Sequence, residues 1–194
     1  MLQMRFNHQD QLTTVLNIVQ ANGFKIPVKN IRLSCKAFRT NSDFFPTEIL
    51  LSHGDFYNVS PKILENMTTL LYVFSHGAEF PEDLMSTCTN LRNLHLYFRS
   101  SESNQEWTGL KHLRQLKQLT IEKCRGVHAL NPVKYLMHLR HLEIHTCPDI
   151  NTLEPINHLW QLKCLVITEC PRIKCMRPID GLMHLEHLEV IACQ

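Results

Sequence analysis

Apolar positions in the C-terminal half fall in one fixed figure. Two leucines lie three residues apart, an aliphatic residue follows two later, and a cysteine three after that. The figure reads Leu116, Leu119, Ile121, Cys124, then Leu139, Leu142, Ile144, Cys147. It returns as Leu162, Leu165, Ile167, Cys170 and as Leu185, Leu188, Val190, Cys193. The step from each copy to the next is identical. Leu91, Leu94 and Leu96 precede the first copy by a step slightly longer. A residue and its second neighbour share one face of an extended chain, so Leu119 and Ile121 predict a short strand with one apolar face. One such coil cannot bury that face alone, so successive coils must stack. The intervening stretch repeats as well. Val127, Leu130, Pro132, Val133 and Leu136 correspond to Ile150, Leu153, Pro155, Ile156 and Leu159, and again to Ile173, Met176, Pro178, Ile179 and Leu182. Proline lacks the N–H that a strand ladder needs, which predicts that Pro132, Pro155 and Pro178 lie on the opposite wall.

Upstream the figure loosens. Met67 to Tyr72 and Ile49 to Leu51 predict two earlier strands, giving six to seven parallel strands in all. The segment from Arg99 to Gly109 is polar and predicts the loop behind the longer step. Residues 1–40 keep a different period. Leu12, Val15, Leu16 and Val19 have helical spacing, Asn22-Gly23 supplies a stop, and Pro27 stands near the first turn of a second helix over Val28 to Phe38. The expected organisation is a helical segment over 1–40 and a stacked array over 41–194, irregular over 41–110 and regular over 111–194.

Composition adds limits. The 194 residues include 28 leucines, and the formal charge is only +2. That balance provides no strong basic field for nucleic acid or an anionic membrane. No apolar run is long enough to span a bilayer. MLQMRFNHQDQL lacks the pattern of a secretory signal. Eight cysteines, several in one repeated slot, read as reduced thiols in a cytoplasmic or nuclear protein.

The L-x-x-L-x-L figure with its following cysteine resembles the leucine-rich repeat. It is similar to the short bacterial-internalin and phosphatase-regulator type, with cysteine where asparagine usually stands. The resemblance implies an α/β solenoid: a right-handed coil with parallel strands on a concave face, a turn at the cysteine, and extended or 3₁₀ stretches on the convex side. A second resemblance lies further upstream. Val15-Leu16-Asn-Ile-Val19-Gln, a loop with Ile26-Pro27-Val28, and the closing string Leu33-Ser-Cys35-Lys36-Ala-Phe38-Arg39 look like an F-box. Asp10-Gln11 stands where that family usually has Leu-Pro. The resemblance implies docking on the adaptor subunit of a cullin-type ubiquitin ligase, with the repeats holding the target. Its candidate adaptor contacts are Val15, Leu16, Val19, Ile26, Pro27, Val28, Ile31, Leu33, Cys35 and Phe38. The other reading of the same segment is a helical cap closing the open end of the solenoid, on a stand-alone scaffold.

Residues that alternate with the buried aliphatics face outward and are the candidates for partner binding. One column is His95, Thr120, Glu143, Val166 and Glu189. The next is Tyr97, Glu122, His145, Thr168 and Ile191, and beside it run Phe98, Lys123, Thr146, Glu169 and Ala192. Aromatic residues, acids and histidines are a mixture suited to a protein partner. Trp107 and Trp160 read as packing residues or exposed anchors. The Cys124, Cys147, Cys170, Cys193 column is a straight ladder that cannot surround one tetrahedral ion, and His141, Cys164 and His187 recur through duplication. Neither is assigned a metal, and no cofactor is expected. There is no phosphate loop, nucleophile elbow or H-E-x-x-H, so no catalytic residue is assigned. The last strand predicts an apolar end at Leu188 and Val190, suited to a second copy or a partner.

Overall fold

The computed structural model describes residues 61–74, 81–98 and 107–193, with the backbone of Ile31–Arg32 and Glu48–Ser52. Its centre is one parallel sheet of eight strands in chain order. They are β1 (Ile31–Arg32), β2 (Glu48–Ser52), β3 (Thr69–Phe74), β4 (Asn93–Phe98), β5 (Gln118–Glu122), β6 (His141–His145), β7 (Cys164–Thr168) and β8 (His187–Ile191). Neighbours in sequence are neighbours in space, which a coil returning to the same side after each strand requires.

The register follows the repeat. Leu94, Leu119, Leu142, Leu165 and Leu188 stand side by side, as do Leu96, Ile121, Ile144, Ile167 and Val190. A one-residue slip would turn every one of these side chains to water, so the alternation of faces fixes the pairing. The opposite wall is built from 3₁₀ segments at Thr108–His112, Asn131–Tyr135, Glu154–His158 and Arg177–Ile179. Pro132, Pro155 and Pro178 lie in the first turn of the last three and are buried. There the missing N–H removes no ladder bond. Leu116, Leu139 and Leu162 fill the space between the walls with no exposed surface.

Each regular strand ends in the same backbone move. Lys123, Thr146, Glu169 and Ala192 all have positive φ, between 53° and 60°. Strict alternation after buried Ile121 would point Glu122 out and Lys123 in. The left-handed residue keeps Lys123 outward and delivers Cys124 to the interior instead. For a side chain with a Cβ this conformation costs about 1–2 kcal/mol, and a β-branched residue is least suited to it. Replacing Thr146 by asparagine, which tolerates that region, is expected to raise the unfolding free energy by about 0.5–1 kcal/mol in a urea titration. A decrease would contradict the strain assigned to this turn.

Of the cysteines that follow, Cys124, Cys147 and Cys170 are buried thiols and Cys193 is partly exposed. Cys147 Sγ lies 3.3 Å from the His145 carbonyl oxygen and 3.9 Å from that of Ile121 in the previous coil. Cys170 repeats both contacts with Thr168 and Ile144. The S–H thus donates weakly to turn carbonyls. Burial raises the Cys124 thiol far above its ordinary range and pushes Cys88 up to about 12. The Cys147 thiol is raised as well, chiefly through its hydrogen bond with Cys170.

Four expectations need correction. Among the described residues the sheet has eight strands, against about six to seven expected. The added one is β1: Ile31 and Arg32 pair in parallel with Ile49 and Leu50. A helix over Val28–Phe38 therefore does not hold at these two residues, and the sheet begins before residue 41. The alternation of Ile31 and Leu33 also suits a strand, which the helical reading overlooked. Phe98 faces inward, at 1 % exposure, and not outward. β4 runs one residue further than the regular strands, without a left-handed turn, so alternation carries Phe98 into the core. Finally, Trp107 is buried and Thr108–His112 is 3₁₀, so the end of the expected polar loop belongs to the wall.

At the other end, Leu188 and Val190 on β8 are 49 % and 38 % exposed, whereas their register partners Leu165 and Ile167 are fully buried. Of the expected adaptor contacts, Val15, Leu16, Val19, Ile26, Pro27, Val28, Leu33, Cys35 and Phe38 lie outside the described residues.

Candidate functional site

The outer face of the sheet carries a cross-strand polar ladder. His95 on β4 meets Glu122 on β5, with Nε2 3.3 Å from Oε2. Thr120 Oγ1 donates to Glu143 Oε2 at 3.3 Å across β5 and β6. The same carboxylate oxygen lies 3.4 Å from His145 Nε2, and His145 Nδ1 is 2.8 Å from Thr168 Oγ1 on β7. At the strand ends Lys123 Nζ donates to Tyr97 Oη at 2.8 Å, and Thr146 Oγ1 donates to Glu169 Oε2 at 2.9 Å. His187 and Glu189 approach within 3.6 Å on β8. The repeat register sets Thr120 opposite Glu143 and His145 opposite Thr168, while His95–Glu122 and Tyr97–Lys123 reach diagonally and Glu143–His145 and His187–Glu189 join second neighbours on one strand.

Of the outward residues read from the sequence, His95 and Glu122, Tyr97 and Lys123, and Thr146 and Glu169 form separate pairs, while Thr120, Glu143, His145 and Thr168 form one chain of hydrogen bonds over β5 to β7. Val166 and Ile191 place apolar surface on the same face, and Ile191 is exposed. Phe98 is the exception. His141, Cys164 and His187 stand side by side in register. His141 Nδ1 is buried without a hydrogen-bond partner. Among the described residues no group of three His, Cys, Asp or Glu side chains is placed to hold a metal ion.

The electrostatics follow from these hydrogen bonds and from burial. The His145 imidazole is held above its ordinary 6.5, first by its hydrogen bond to Glu143, with burial opposing. Glu143 is correspondingly held low by that bond. His95 goes the other way: burial disfavours its charged form more than Glu122 favours it. The signs matter for pH. His145 contributes stability fully below its ordinary value and loses it as pH rises through the raised one. Glu143 contributes above its ordinary 4.5 and loses its share as pH falls. His95 favours the fold in its neutral form, and its contribution fades as pH falls below 6.5. Replacing Glu143 by glutamine should therefore move the His145 titration downward, toward its ordinary value, in an NMR pH series on the imidazole protons. An unmoved midpoint would contradict the pairing.

Residues 69–170, a little over half of the chain, match the sequence profile of the R13L1/DRL21 leucine-rich repeats. The chain belongs to the R13L1/DRL21 leucine-rich-repeat family. No curated protein matches it. Among solved structures it is similar to internalin C2 of Listeria monocytogenes, at 18 % identity and a TM-score of 0.54, over 74 % of this chain and 61 % of that one. An internalin F structure from the same organism is also similar, at 18 % identity and a TM-score of 0.42, over 69 % and 50 %. The internalin C2 likeness supports a leucine-rich-repeat solenoid. The chain spans about three fifths of that structure's length. Among the described residues no helix is long and apolar enough to cross a membrane.

The outward strand residues were legible because they alternate with leucine. A second set of exposed side chains lies in the turns that lead into β6, β7 and β8, of which the sequence singles out only Trp160. The same repeat step would have aligned Met137 with Trp160 and Met183.

Proposed function

We propose that this leucine-rich-repeat chain is a protein-recognition module, and that the outer face of β4 to β7 holds the partner. The observation that carries this reading is the set of cross-strand hydrogen bonds on this face, the His95–Glu122 and Tyr97–Lys123 pairs beside the chain Thr120–Glu143–His145–Thr168. It is an aromatic, acidic and imidazole surface fixed in place by its own hydrogen bonds. Preorganised side chains lose little entropy on binding, so their contacts appear more fully as affinity. A solenoid face also offers a broad area rather than a pocket, as a macromolecular partner requires. The reading assigns no chemical step to this face. The free cysteines among the described residues suit a cytoplasmic or nuclear setting.

The test compares proteins retained by the wild type with those retained by the triple variant Tyr97→Ala, Glu122→Ala, Glu143→Ala. Asn157→Ala, in the opposite wall, serves as the control. Loss of a partner in the triple variant alone is expected, with affinity falling by about 100-fold or more if two of the three are anchors. Full retention by the triple variant would overturn the reading.

A finer proposal gives residues 8–40 a docking role on a ubiquitin-ligase adaptor. It rests on the closing string Leu33-Ser-Cys35-Lys36-Ala-Phe38-Arg39, and strand β1 counts against its second helix. Failure of the full chain to bind the purified adaptor would sink it.

A further inference from the structure

The turns ahead of β6, β7 and β8 hold a large apolar side chain in one slot. Met137, Trp160 and Met183 stand one repeat step apart, each just before Leu139, Leu162 or Leu185. They are 42 %, 50 % and 84 % exposed. A single exposed apolar residue is ordinary, but three in one column on consecutive coils form a continuous ridge. The backbone beneath is fixed. Leu136 and Leu139 close the first turn through N–H bonds to Val133 and Leu136, and the same two bonds recur at Leu159 and Leu162 and at Leu182 and Leu185. Arg114 occupies the slot in the coil before Met137.

Just beyond the ridge runs a basic column. Arg92, Lys117, Arg140 and Lys163 occupy one register position just before β4, β5, β6 and β7. The carbonyl oxygen of each accepts two backbone N–H bonds from the next coil, at 2.7–3.0 Å. The column is thus locked at one cation per coil, about 4.8 Å apart. Lys163 pairs with Glu186. Arg92, Lys117 and Arg140 have no ion pair among the described residues.

We propose that this edge of the sheet is a second docking surface, taken by an acidic protein segment with apolar anchors. The anchors would seat along Met137, Trp160 and Met183, and the carboxylates would meet Arg92, Lys117 and Arg140. The charge asymmetry selects the partner, since three cations with no ion pair among the described residues stand against one acid, Glu186, that is already paired with Lys163. Trp, Met and Arg are also the side chains enriched at interface centres. An anionic lipid surface would favour cations and aromatics too. A net charge of only +2 over the whole chain favours a segment that meets this one column. The surface shares no residue with the outward ladder, so it stands or falls apart from that reading.

The test uses a fluorescein-labelled peptide alternating acidic residues with Leu and Phe, and a counterpart with Lys at the acidic positions. Vesicles of phosphatidylserine and phosphatidylcholine provide the lipid arm. By fluorescence anisotropy the acidic peptide should bind, and the Lys counterpart should bind at least about tenfold more weakly. Trp160→Ala and Arg140→Glu should each weaken binding by about tenfold. Both residues are exposed, so unchanged melting curves should confirm that the variants fold. Glu143→Lys, on the ladder, should leave this binding within about twofold. Absence of binding by the wild type, equal binding of the Lys peptide, or insensitivity to Trp160→Ala would overturn the proposal. Vesicle binding that Trp160→Ala abolishes, with no peptide bound, would overturn it in favour of a lipid surface.

Discussion

Phe98→Ala is expected to lower the unfolding free energy by about 3–5 kcal/mol, and Tyr97→Ala, at the preceding position, by less than about 1 kcal/mol. The two side chains leave β4 on opposite faces. Phe98 is buried in a stack of three aromatic rings. Its centroid lies 4.2 Å from that of Phe74, nearly parallel, and 5.3 Å from that of Trp107. Tyr72 meets Phe74 edge-on at 4.6 Å. This cluster does for the irregular coils what the leucine columns do further along. Truncating its middle ring leaves a void bounded by rigid rings that cannot close over it, so the cost includes both lost transfer energy and the cavity. Tyr97 is only half-buried and holds Lys123 on the outside. Urea titrations of both variants decide the matter. Comparable losses, or the larger loss at Tyr97, would mean that β4 pairs one residue out of step.

Leu142→Ala is expected to cost about 2–5 kcal/mol, a large part of the roughly 5–15 kcal/mol that holds a domain of this size. Leu142 has no exposed surface and stands between Leu119 and Leu165 in the middle of the sheet. Stability in a stacked array is close to a sum of coil and nearest-neighbour terms. A weak coil in the middle therefore loses two interfaces at once and can uncouple the halves. Leu188→Ala removes the same side chain from β8, where it is half-exposed, and should cost less than about 2 kcal/mol. The urea transition of Leu142→Ala should also broaden, as the two halves cease to unfold together. Equal losses at Leu142 and Leu188 would contradict the one-dimensional stack.

The regular half was readable because one physical constraint acts four times over. A strand with one wet face must alternate, and a coil that stacks on copies of itself must repeat the alternation in register. Leu119, Ile121 and their counterparts, and the prolines of the opposite wall, follow from that alone. The turn that frees Lys123 from alternation was not legible. No glycine marks it, and lysine, threonine, glutamate and alanine in turn take a conformation that each resists. Phe98 was misplaced for the same reason, since carrying the Lys123 slot back by one coil assumed a turn that β4 lacks. Ile31 and Arg32 were lost to a local apolar pattern that suits a helix as well as a strand, because their pairing with Ile49 and Leu50 is a long-range event. The outward ladder could be placed by column but not by bond. Which carboxylate meets which imidazole depends on side-chain rotamers that spacing does not encode.

The central claim is that the outer face of β4 to β7 is where a protein partner sits. A photo-crosslinking amino acid at Thr120, in the middle of that face, tests it most directly against the same group at Asn157, in the exposed part of the opposite wall. After irradiation in cells, Thr120 is predicted to form a discrete adduct of higher mass, lost when Tyr97, Glu122 and Glu143 are replaced by alanine, while Asn157 forms none. A discrete adduct at Asn157 with none at Thr120 would contradict the account.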